Sequence, residues 1–244
     1  MSNNNESYRE DLDHYADKYL HPNAARTVDQ RCVSILADRI IPILDGPNVL
    51  EMGYGDGVWT NGLIQRFEKS FVVDASAQLL KVASSIYGDK LTMYQSYFEE
   101  FHSPILFDSV ICTYVLEHVV DPVVVLRQCR NWLKPHGMLC VAVPNATSLH
   151  RRLGVRMGLQ KDVHELNDMD VKIGHRRIYD GPMLEADLAS AGFRVDLRLT
   201  TMCKPLPNAI LAPLNDAQLE GLFDLGDELP EDQRSILAYT CRPA

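Results

Sequence analysis

The chain has 244 residues, of which 46% are hydrophobic, and this composition allows one large domain with a packed core. A formal net charge of −9 argues against a general nucleic-acid binder, because neutralising phosphates requires a broad Lys and Arg surface. The six cysteines form no CxxC pair, and no apolar run approaches the roughly 20 residues of a membrane span. We therefore expect a cytoplasmic protein with reduced thiols, without a zinc site, a disulfide framework or a membrane partner.

Residues 1–46 are predicted to form a cap of helices over the rest of the fold. Apolar residues recur at helical spacing from Val28 to Leu44, which indicates one buried stripe on a covering helix over residues 24–44. Asp45-Gly46-Pro47 then marks the end of this helix.

Residues 47–144 alternate short apolar strands with amphipathic helices, a pattern typical of a mostly parallel sheet with helices on both faces. Five strands are predicted, at residues 48–52, 70–74, 91–95, 107–112 and 138–143. Three helices are predicted between them, at residues 59–66, 77–87 and 121–133. The third helix has a clear start signal, because Asp121 can cap it and Pro122 suits its first position.

Residues 145–180 interrupt this alternation with a stretch rich in His, Arg and Lys. It is too long for an ordinary connection, so we predict a substrate lid that carries helix of its own. Residues 181–244 return to regular structure, with a helix at 183–191, a strand at 193–200 and a final strand at 235–241. We expect all four segments to form a single domain.

Three glycines at alternate positions follow the first predicted strand, in the stretch VLEMGYGDGVWT. Residues without a Cβ let a strand turn sharply and bring its backbone against a nucleotide-like ligand. The frame Glu51-x-Gly-x-Gly-x-Gly lacks the G-x-G-x-x-G spacing of dinucleotide sites, and a carboxylate at Glu51 suits a cationic group better than a pyrophosphate. Asp74 ends the second strand, where it can accept both hydroxyls of a ribose, although this residue alone would serve NAD equally well.

The stretch FDSVICTYVLEHVVDPVVVLRQCRNWLKPHGMLCVAVPN, residues 107–145, resembles the class I S-adenosylmethionine-dependent methyltransferases. LEHV-x-DP before a helix and W-L-K-P-x-G before a strand ending in Pro-Asn recur in the small-molecule branch of that family. GHRRIYDGPMLEADLASAGF is similar to the stretch before the family's sixth strand, so the resemblance covers roughly residues 49–192. It implies an α/β fold, a Rossmann-like three-layer sandwich whose seven-stranded sheet is mostly parallel with an antiparallel last strand, plus a helical cap and lid.

The same resemblance implies a cofactor, S-adenosylmethionine, with S-adenosylhomocysteine as its product. The glycine loop would wrap the methionine part, Glu51 would face the ammonium through backbone or water, and Asp74 would hold the ribose. The family often has Gly-Asp after the third strand, whereas this chain has Ser96-Tyr97, so Tyr97 or the backbone would replace that aspartate at the adenine. The predicted cofactor-binding residues are Glu51, Gly53, Gly55, Gly57, Asp74, Ala75, Ser96, Tyr97, Thr113 and Tyr19.

Methyl transfer requires an aligned acceptor and a group that removes its proton. The candidate bases are His118, His150 and His175, with Tyr114 as a positioning group. Each histidine could instead serve the structure by bonding backbone. In ubiquinone-pathway O-methyltransferases, an E-x-x-E-H form of this segment has been linked to metal-assisted catalysis. Tyr114 here replaces the first Glu, so no metal is predicted.

The predicted substrate contacts are Tyr15, Arg151, Arg176 and Arg177. The lid arginines could clamp a carboxylate or phosphate, or they could pair with lid carboxylates on a solvated face. Tyr15, with Tyr19, would close the pocket, and the alternative is a disordered N-terminal segment. We expect a small-molecule biosynthetic intermediate as acceptor, methylated at oxygen or nitrogen, no nucleic-acid partner, and a homodimer as one compatible assembly. The alternatives are a non-catalytic S-adenosylmethionine-binding partner or sensor of the same fold, and a dinucleotide-dependent oxidoreductase.

Overall fold

The structure, a computed structural model, describes residues 27–244 around one seven-stranded sheet, so Tyr15 and Tyr19 lie outside the described residues. The strands are β1 Asn48–Met52, β2 Lys69–Asp74, β3 Leu91–Gln95, β4 Phe107–Thr113, β5 Leu133–Pro144, β6 Phe193–Arg198 and β7 Ile236–Pro243. Their order in the sheet is β3-β2-β1-β4-β5-β7-β6. β1 to β5 are parallel, and β7 lies antiparallel between β5 and β6. The predicted fold class is confirmed, including the antiparallel last strand.

Helices cover both faces of this sheet. They are α1 Val28–Ile40, α2 Val58–Arg66, α3 Ala77–Tyr87, α4 Pro122–Trp132, α5 Leu149–Arg156, α6 Asp168–Ile173, α7 Gly181–Ser190, α8 Asn208–Leu211 and α9 Asp216–Glu228. α4 begins where its sequence predicts, because Asp121 Oδ1 accepts the Val124 N–H at 3.1 Å and Pro122 takes the first turn. None of the described helices combines the length and the apolar composition needed to cross a membrane.

The sheet separates two apolar clusters, one on each face. Along β1, Leu50 and Met52 pack on the face that carries α4 and α7, whereas Val49 packs on the face that carries α1 and α9. This alternation follows from the two-residue period of a strand, so a shift of one residue would reverse every side chain. The position of Glu51 is therefore set by the register of β1.

Several elements differ from the sequence prediction. The covering helix is shorter, since α1 ends at Ile40 and a 3₁₀ turn, Ile41–Ile43, follows. β5 extends over Leu133–Pro144, well beyond the predicted 138–143. α9 lies in a Pro- and Leu-rich stretch for which no helix was predicted. Residues 145–180, the predicted lid, contain the helices α5 and α6.

The chain reverses its direction across the sheet between β1 and β4. From β1 the next strands are added on one side, and from β4 onward on the other. In open sheets of this kind the carboxyl ends of the two strands at the reversal bound a crevice where ligands bind. The glycine turn after β1 and the residues after β4 lie at the two sides of this crevice.

Candidate active site

The turn after β1 is built from left-handed backbone that favours glycine. The φ angles of Gly53, Gly55 and Gly57 are 77°, 54° and 75°. Gly53 donates its N–H to the Val73 carbonyl at 2.8 Å, which fixes the turn to β2. A Cβ added at Gly53 would meet only the Phe98 ring, at 3.9 Å, so the turn leaves its own backbone approachable.

Asp74 connects this turn to the end of β2. Its Oδ2 accepts the Tyr54 N–H and its Oδ1 accepts the Ser76 N–H, both at 2.8 Å. Two backbone donors hold the carboxylate in one orientation, and its remaining lone pairs can still accept ribose hydroxyls. Burial raises the pKa of Asp74, and these two bonds oppose that rise. Ala75, the next residue, is partly exposed beside it.

Glu51 is buried under the same turn. Its Oε2 accepts a hydrogen bond from Thr60 Oγ1 of α2 at 2.5 Å. Burial raises the pKa of Glu51 to about 8, an effect that the Thr60 bond reduces and the nearby Asp56 and Asp74 carboxylates increase. A cationic ligand group beside this carboxyl would favour its ionised form.

The segment after β3 lies against the other side of Asp74. Ser96 donates its N–H to the Asp74 carbonyl at 3.1 Å, and its hydroxyl donates to the Tyr97 carbonyl at 3.0 Å. Phe98, whose ring lies beside Gly53, was missed by the sequence analysis. Its contact crosses from one strand end to another, and no local pattern marks it.

The end of β4 brings Thr113 and Tyr114 to the crevice. Thr113 pairs with Ala142 of β5, and Tyr114 donates its N–H to the Ala142 carbonyl at 2.8 Å. Tyr114 has a φ of 56°, a conformation that is uncommon for a residue with a side chain and that concentrates at functional sites. Its ring packs against the apolar cluster on the α1 face of the sheet.

Two of the predicted bases, His118 and His175, are in contact close to the loop that follows β4. The rings of His118 and His175 lie edge to face with centroids 4.8 Å apart. Glu117 completes this group: it is fully buried, and neither carboxylate oxygen has a hydrogen-bond partner among the residues that the structure describes. Burial raises the pKa of Glu117 to about 7, against the attraction of His175 and Arg177. On its other side, His175 Nδ1 lies 3.3 Å from Asp170 Oδ1.

Glu117, His118 and His175 each offer a ligand atom, and these atoms lie within 4.8 Å of one another. This spacing makes them the residues best placed to hold a metal ion within residues 27–244. The absence of a metal predicted from the sequence is not tested by this geometry and stays a prediction.

Two of the arginines predicted to contact substrate bond to other groups of the protein. Arg151 is only 4% exposed, and it donates to the carbonyls of Val163 and Glu165 and pairs with Asp170 at 3.1 Å. Arg177 donates to the backbone carbonyls that follow β4, those of Leu116, Val119 and Val120, at 2.6 to 3.0 Å. Their guanidinium groups stabilise the predicted lid and the loop after β4, and a substrate role for either arginine stays a prediction.

Arg176 and His150 have more limited contacts. Arg176 is exposed and donates through Nε to the His118 carbonyl at 2.9 Å, so a substrate role for it stays a prediction. His150 Nδ1 lies 3.2 Å from Ser148 Oγ, and the ring also bonds the backbone of Lys204. Burial, with the charges of Lys204 and Arg151, lowers the pKa of His150 to about 4. Such an imidazole is a weak base, which favours the structural alternative for His150.

A surface hollow of about 450 Å³ lies at the amino ends of the central strands, lined by Asp45, Asp108, Lys134 and His136 among others. It is on the edge of the sheet opposite to the glycine turn, and none of the predicted site residues lines it.

Comparison with known proteins agrees with this geometry. The model of a family described as methyltransferase domain matches residues 8–197, which is most of the chain. A ubiquinone biosynthesis O-methyltransferase from Xanthomonas campestris pv. campestris is 32% identical over 111 residues, which span 43% of this chain and 46% of that relative. The chain thus matches less than half the length of this curated relative.

Solved structures share the fold at low sequence identity. The N1-methyltransferase of 1,6-didemethyltoxoflavin from Burkholderia thailandensis, with bound 1,6-didemethyltoxoflavin and S-adenosylhomocysteine, has a TM-score of 0.63 at 15% identity, covering 100% of this chain and 91% of that one. The N-methyltransferase NodS from Bradyrhizobium japonicum, in complex with S-adenosylhomocysteine, has a TM-score of 0.59 at 13% identity, covering 95% and 97%.

The chain belongs to the methyltransferase-domain family. Its fold and its structural neighbours are those of the class I S-adenosylmethionine-dependent methyltransferases. The residues present fit the family's cofactor, S-adenosylmethionine: the glycine backbone is approachable, Asp74 has acceptor capacity left, and the buried Glu51 suits a cationic group.

Proposed function

We propose that this chain catalyses methyl transfer from S-adenosylmethionine to an oxygen or a nitrogen of a small-molecule biosynthetic intermediate. The observation that carries the proposal is the pairing of the glycine turn with Asp74 at the reversal point of the sheet. The Tyr54 N–H of the turn donates directly to the Asp74 carboxylate, so the β1–β2 side of the cofactor crevice is preorganised.

Each part of the crevice has a role in holding the cofactor. The Gly53 to Gly57 backbone wraps the methionine part, the buried Glu51 balances its ammonium, and Asp74 accepts from the ribose hydroxyls. Ala75 and the segment Ser96–Tyr97, with Phe98, line the adenine side. Thr113 lies between cofactor and acceptor.

When bound, S-adenosylmethionine supplies a methyl group on a positively charged sulfur. The residues of the chain have two tasks: they hold the acceptor in line with that methyl group, and they remove a proton from the acceptor where one must leave. Tyr114, fixed at positive φ after β4, positions the acceptor.

We assign the removal of the acceptor's proton to His118 and His175. Their rings contact each other, and the Asp170 carboxylate, 3.3 Å from His175 Nδ1, can stabilise a proton taken up by His175. The neighbouring Glu117 is a second proton acceptor in the same group, because burial brings its pKa close to neutral. His150 is less suited to this task, because burial lowers its pKa to about 4.

The small-molecule class is supported by the neighbours. The relative from Xanthomonas is named for ubiquinone biosynthesis, and the Burkholderia neighbour binds 1,6-didemethyltoxoflavin. The lid helices α5 and α6 stand beside the carboxyl edge of the sheet, where they can close over an acceptor of that size.

Calorimetric titration with S-adenosylmethionine, S-adenosylhomocysteine and NAD tests the cofactor first. We expect micromolar binding of the first two, a loss of at least about tenfold in affinity in Asp74→Ala, and no change in Asp89→Ala, an exposed acid outside the crevice. Binding of NAD alone would indicate an oxidoreductase. A labelled-methyl screen of small molecules follows, and tight cofactor binding without any transfer would favour the partner or sensor alternative.

A further inference from the structure

A second polar cluster lies at the carboxyl ends of β4 and β6, beyond the cofactor crevice. It comprises Asp29 and Cys32 of α1, Tyr114 after β4, His150 at the start of α5, and Lys204 and Asn208 after β6. Its walls are apolar, because Tyr114, Cys32, Met202 and Leu211 belong to the same hydrophobic cluster. Chain segments far apart in sequence thus bring a few polar groups to one region of the fold.

The backbone that leads to Lys204 is held in a strained conformation. Met202 has a φ of 68°, and Tyr114 is the other non-glycine residue with positive φ within residues 27–244. Ser235 donates its N–H to the Met202 carbonyl at 2.8 Å, and Cys203 donates its N–H to the Leu222 carbonyl at 2.7 Å. Residues held in this way concentrate at functional sites. Both strained residues of the described chain border the same cluster.

His150 fixes Lys204 from the other side. Its ring bonds the Lys204 backbone and lies 3.2 Å from Ser148 Oγ. Because the pKa of His150 is lowered to about 4, the imidazole is neutral near pH 7 and adds no charge to the cluster. Arg31 and Arg151 lie nearby but pair with Asp216 and Asp170, which leaves the Lys204 ammonium as the cation of this cluster without a carboxylate partner among the described residues.

This ammonium has no ion pair with any residue in the described part of the chain, although acidic residues outnumber basic ones by 33 to 24. Asp29, the carboxylate of the cluster, accepts a hydrogen bond from Asn208 Nδ2 at 2.7 Å. Asn208 Oδ1 is buried, with no hydrogen-bond partner among the described residues. A half-buried cation and a buried acceptor atom together fit a ligand that brings both an anionic group and a donor.

We propose that Lys204 is a specificity-determining residue that binds a carboxylate of the acceptor, with Asn208 Oδ1 accepting from an O–H or N–H of the same molecule. One ammonium matches a singly charged carboxylate better than a phosphate, which favours several donors. The apolar walls take the body of the molecule. This inference rests on the proposed function, which it narrows to organic acids as acceptors.

The test uses the full chain saturated with S-adenosylhomocysteine, with benzoate and its neutral isostere benzamide as probes. Binding is measured by titration calorimetry and by NMR of labelled lysine side chains. We expect benzoate to bind at least about tenfold more tightly than benzamide and to shift the Lys204 signal. Lys204→Gln should remove this preference while leaving benzamide and S-adenosylhomocysteine affinities unchanged. Lys161→Gln, an exposed lid lysine, is the control for the lost charge and should change nothing.

The inference is overturned if benzoate and benzamide bind alike, if neither binds, or if the two lysine variants behave alike. Unchanged S-adenosylhomocysteine affinity in Lys204→Gln shows that the variant is folded, and Lys204→Met repeats the test should it not be. Failure of the wild-type chain to bind S-adenosylhomocysteine overturns the proposed function, and this inference with it, so the two failures are distinguishable.

Discussion

Gly57 and Tyr54 share one small space at the glycine turn. A Cβ added at Gly57 would lie 2.6 Å from the Tyr54 hydroxyl oxygen, and Gly57 also has a φ of 75°. Tyr54 itself is buried against α3 and β2, so its ring has little freedom to move. Glycine is thus required at position 57 for two reasons: the backbone there is left-handed, and the Tyr54 ring leaves no room for a Cβ.

Gly57→Ala should lower the free energy of unfolding by roughly 2–4 kcal/mol, because strain in the left-handed region and overpacking add together. Gly158→Ala is the matched control, since Gly158 has a φ of 72° with no atom within 4 Å of an added Cβ. It should lose only about 1 kcal/mol. Urea unfolding of both variants measures the difference, and equal losses would contradict a role for Tyr54.

Glu51 should make the stability of the ligand-free protein fall as the pH rises. Burial raises the pKa of Glu51 in the folded protein to about 8, whereas the pKa of Glu in an unfolded chain is about 4.3. Between these two pH values the folded protein therefore binds one proton more than the unfolded chain. Its contribution is full below about pH 4 and is lost as the pH rises through about 8. Urea unfolding at pH 6 and pH 8 should show a smaller decline in Glu51→Gln than in the wild type. A decline of equal size would mean that Glu51 ionises normally.

The cluster of Glu117, His118 and His175 should be metal-free in the purified protein. A proton can neutralise Glu117, whose pKa is raised to about 7, and His175 is directed toward Asp170 as well. We expect elemental analysis to find less than stoichiometric divalent metal, and chelation to leave S-adenosylhomocysteine affinity unchanged. One equivalent of retained metal, lost in Glu117→Gln, would establish a metal centre at these three ligand atoms.

The residues that sequence reasoning found at the site are those with a local signature. Gly53, Gly55, Gly57 and Asp74 follow strands directly, and strand ends are visible in the apolar pattern. Residues such as Phe98 and Lys204 reach the site through contacts between distant segments, which no local pattern encodes. The hydrogen bonds of Arg151 and Arg177 could not be predicted from the sequence either, because their partners are mainly backbone carbonyls distant in sequence.

Among the helices, α9 shows how close backbone packing can require a glycine. A Cβ added at Gly226 would lie 2.5 Å from the Met202 backbone nitrogen, so α9 can press directly on the connection after β6. Gly221, one and a half turns earlier in the same helix, faces open space. The two glycines lower the helix propensity alike, but only one of them is required by packing.

Gly226→Ala should therefore destabilise the protein by about 2–3 kcal/mol, because rigid backbone cannot move away from the new methyl group. Gly221→Ala should stabilise it by up to about 1 kcal/mol through helix propensity. Thermal or urea unfolding distinguishes the two variants. If both alanines were stabilising, the approach of α9 to Met202 would be looser than described.

The sequence could predict most elements because periodicity alone distinguishes the central strands from the helices. α9 was missed although Asn215 and Gln218 form a capping box at its start, with side chain and backbone bonded reciprocally. The sequence analysis assigned no element to this Pro- and Leu-rich stretch. The reason for Gly226 lies in the tertiary contact with Met202, which is available only from the folded structure.

For the whole molecule, the cofactor crevice and the proposed acceptor cluster share one edge of the sheet. The crevice is bounded by segments that follow β1, β2, β3 and β4, and the cluster by segments that follow β4 and β6. A ligand in the crevice therefore contacts strands whose order in the sheet is not their order in the chain. Binding there should stabilise the entire fold.

S-adenosylhomocysteine at 100 times its Kd should raise the free energy of unfolding by about 2.7 kcal/mol, which corresponds to roughly 5–10 °C in Tm. Differential scanning calorimetry measures this shift. NAD at the same concentration should leave Tm unchanged. A similar shift with both compounds would indicate a crevice that selects only for adenosine.

The insertion of β7 between β5 and β6 has a consequence for folding during synthesis. β6 pairs with β7 alone among the described strands, and β7 comes last along the chain. A nascent chain can assemble β1 to β5 early, while β6 must wait until the ribosome has released β7. The exposed flank of β5 is then an open strand edge throughout this interval, and it is the place where a chaperone would most effectively prevent aggregation.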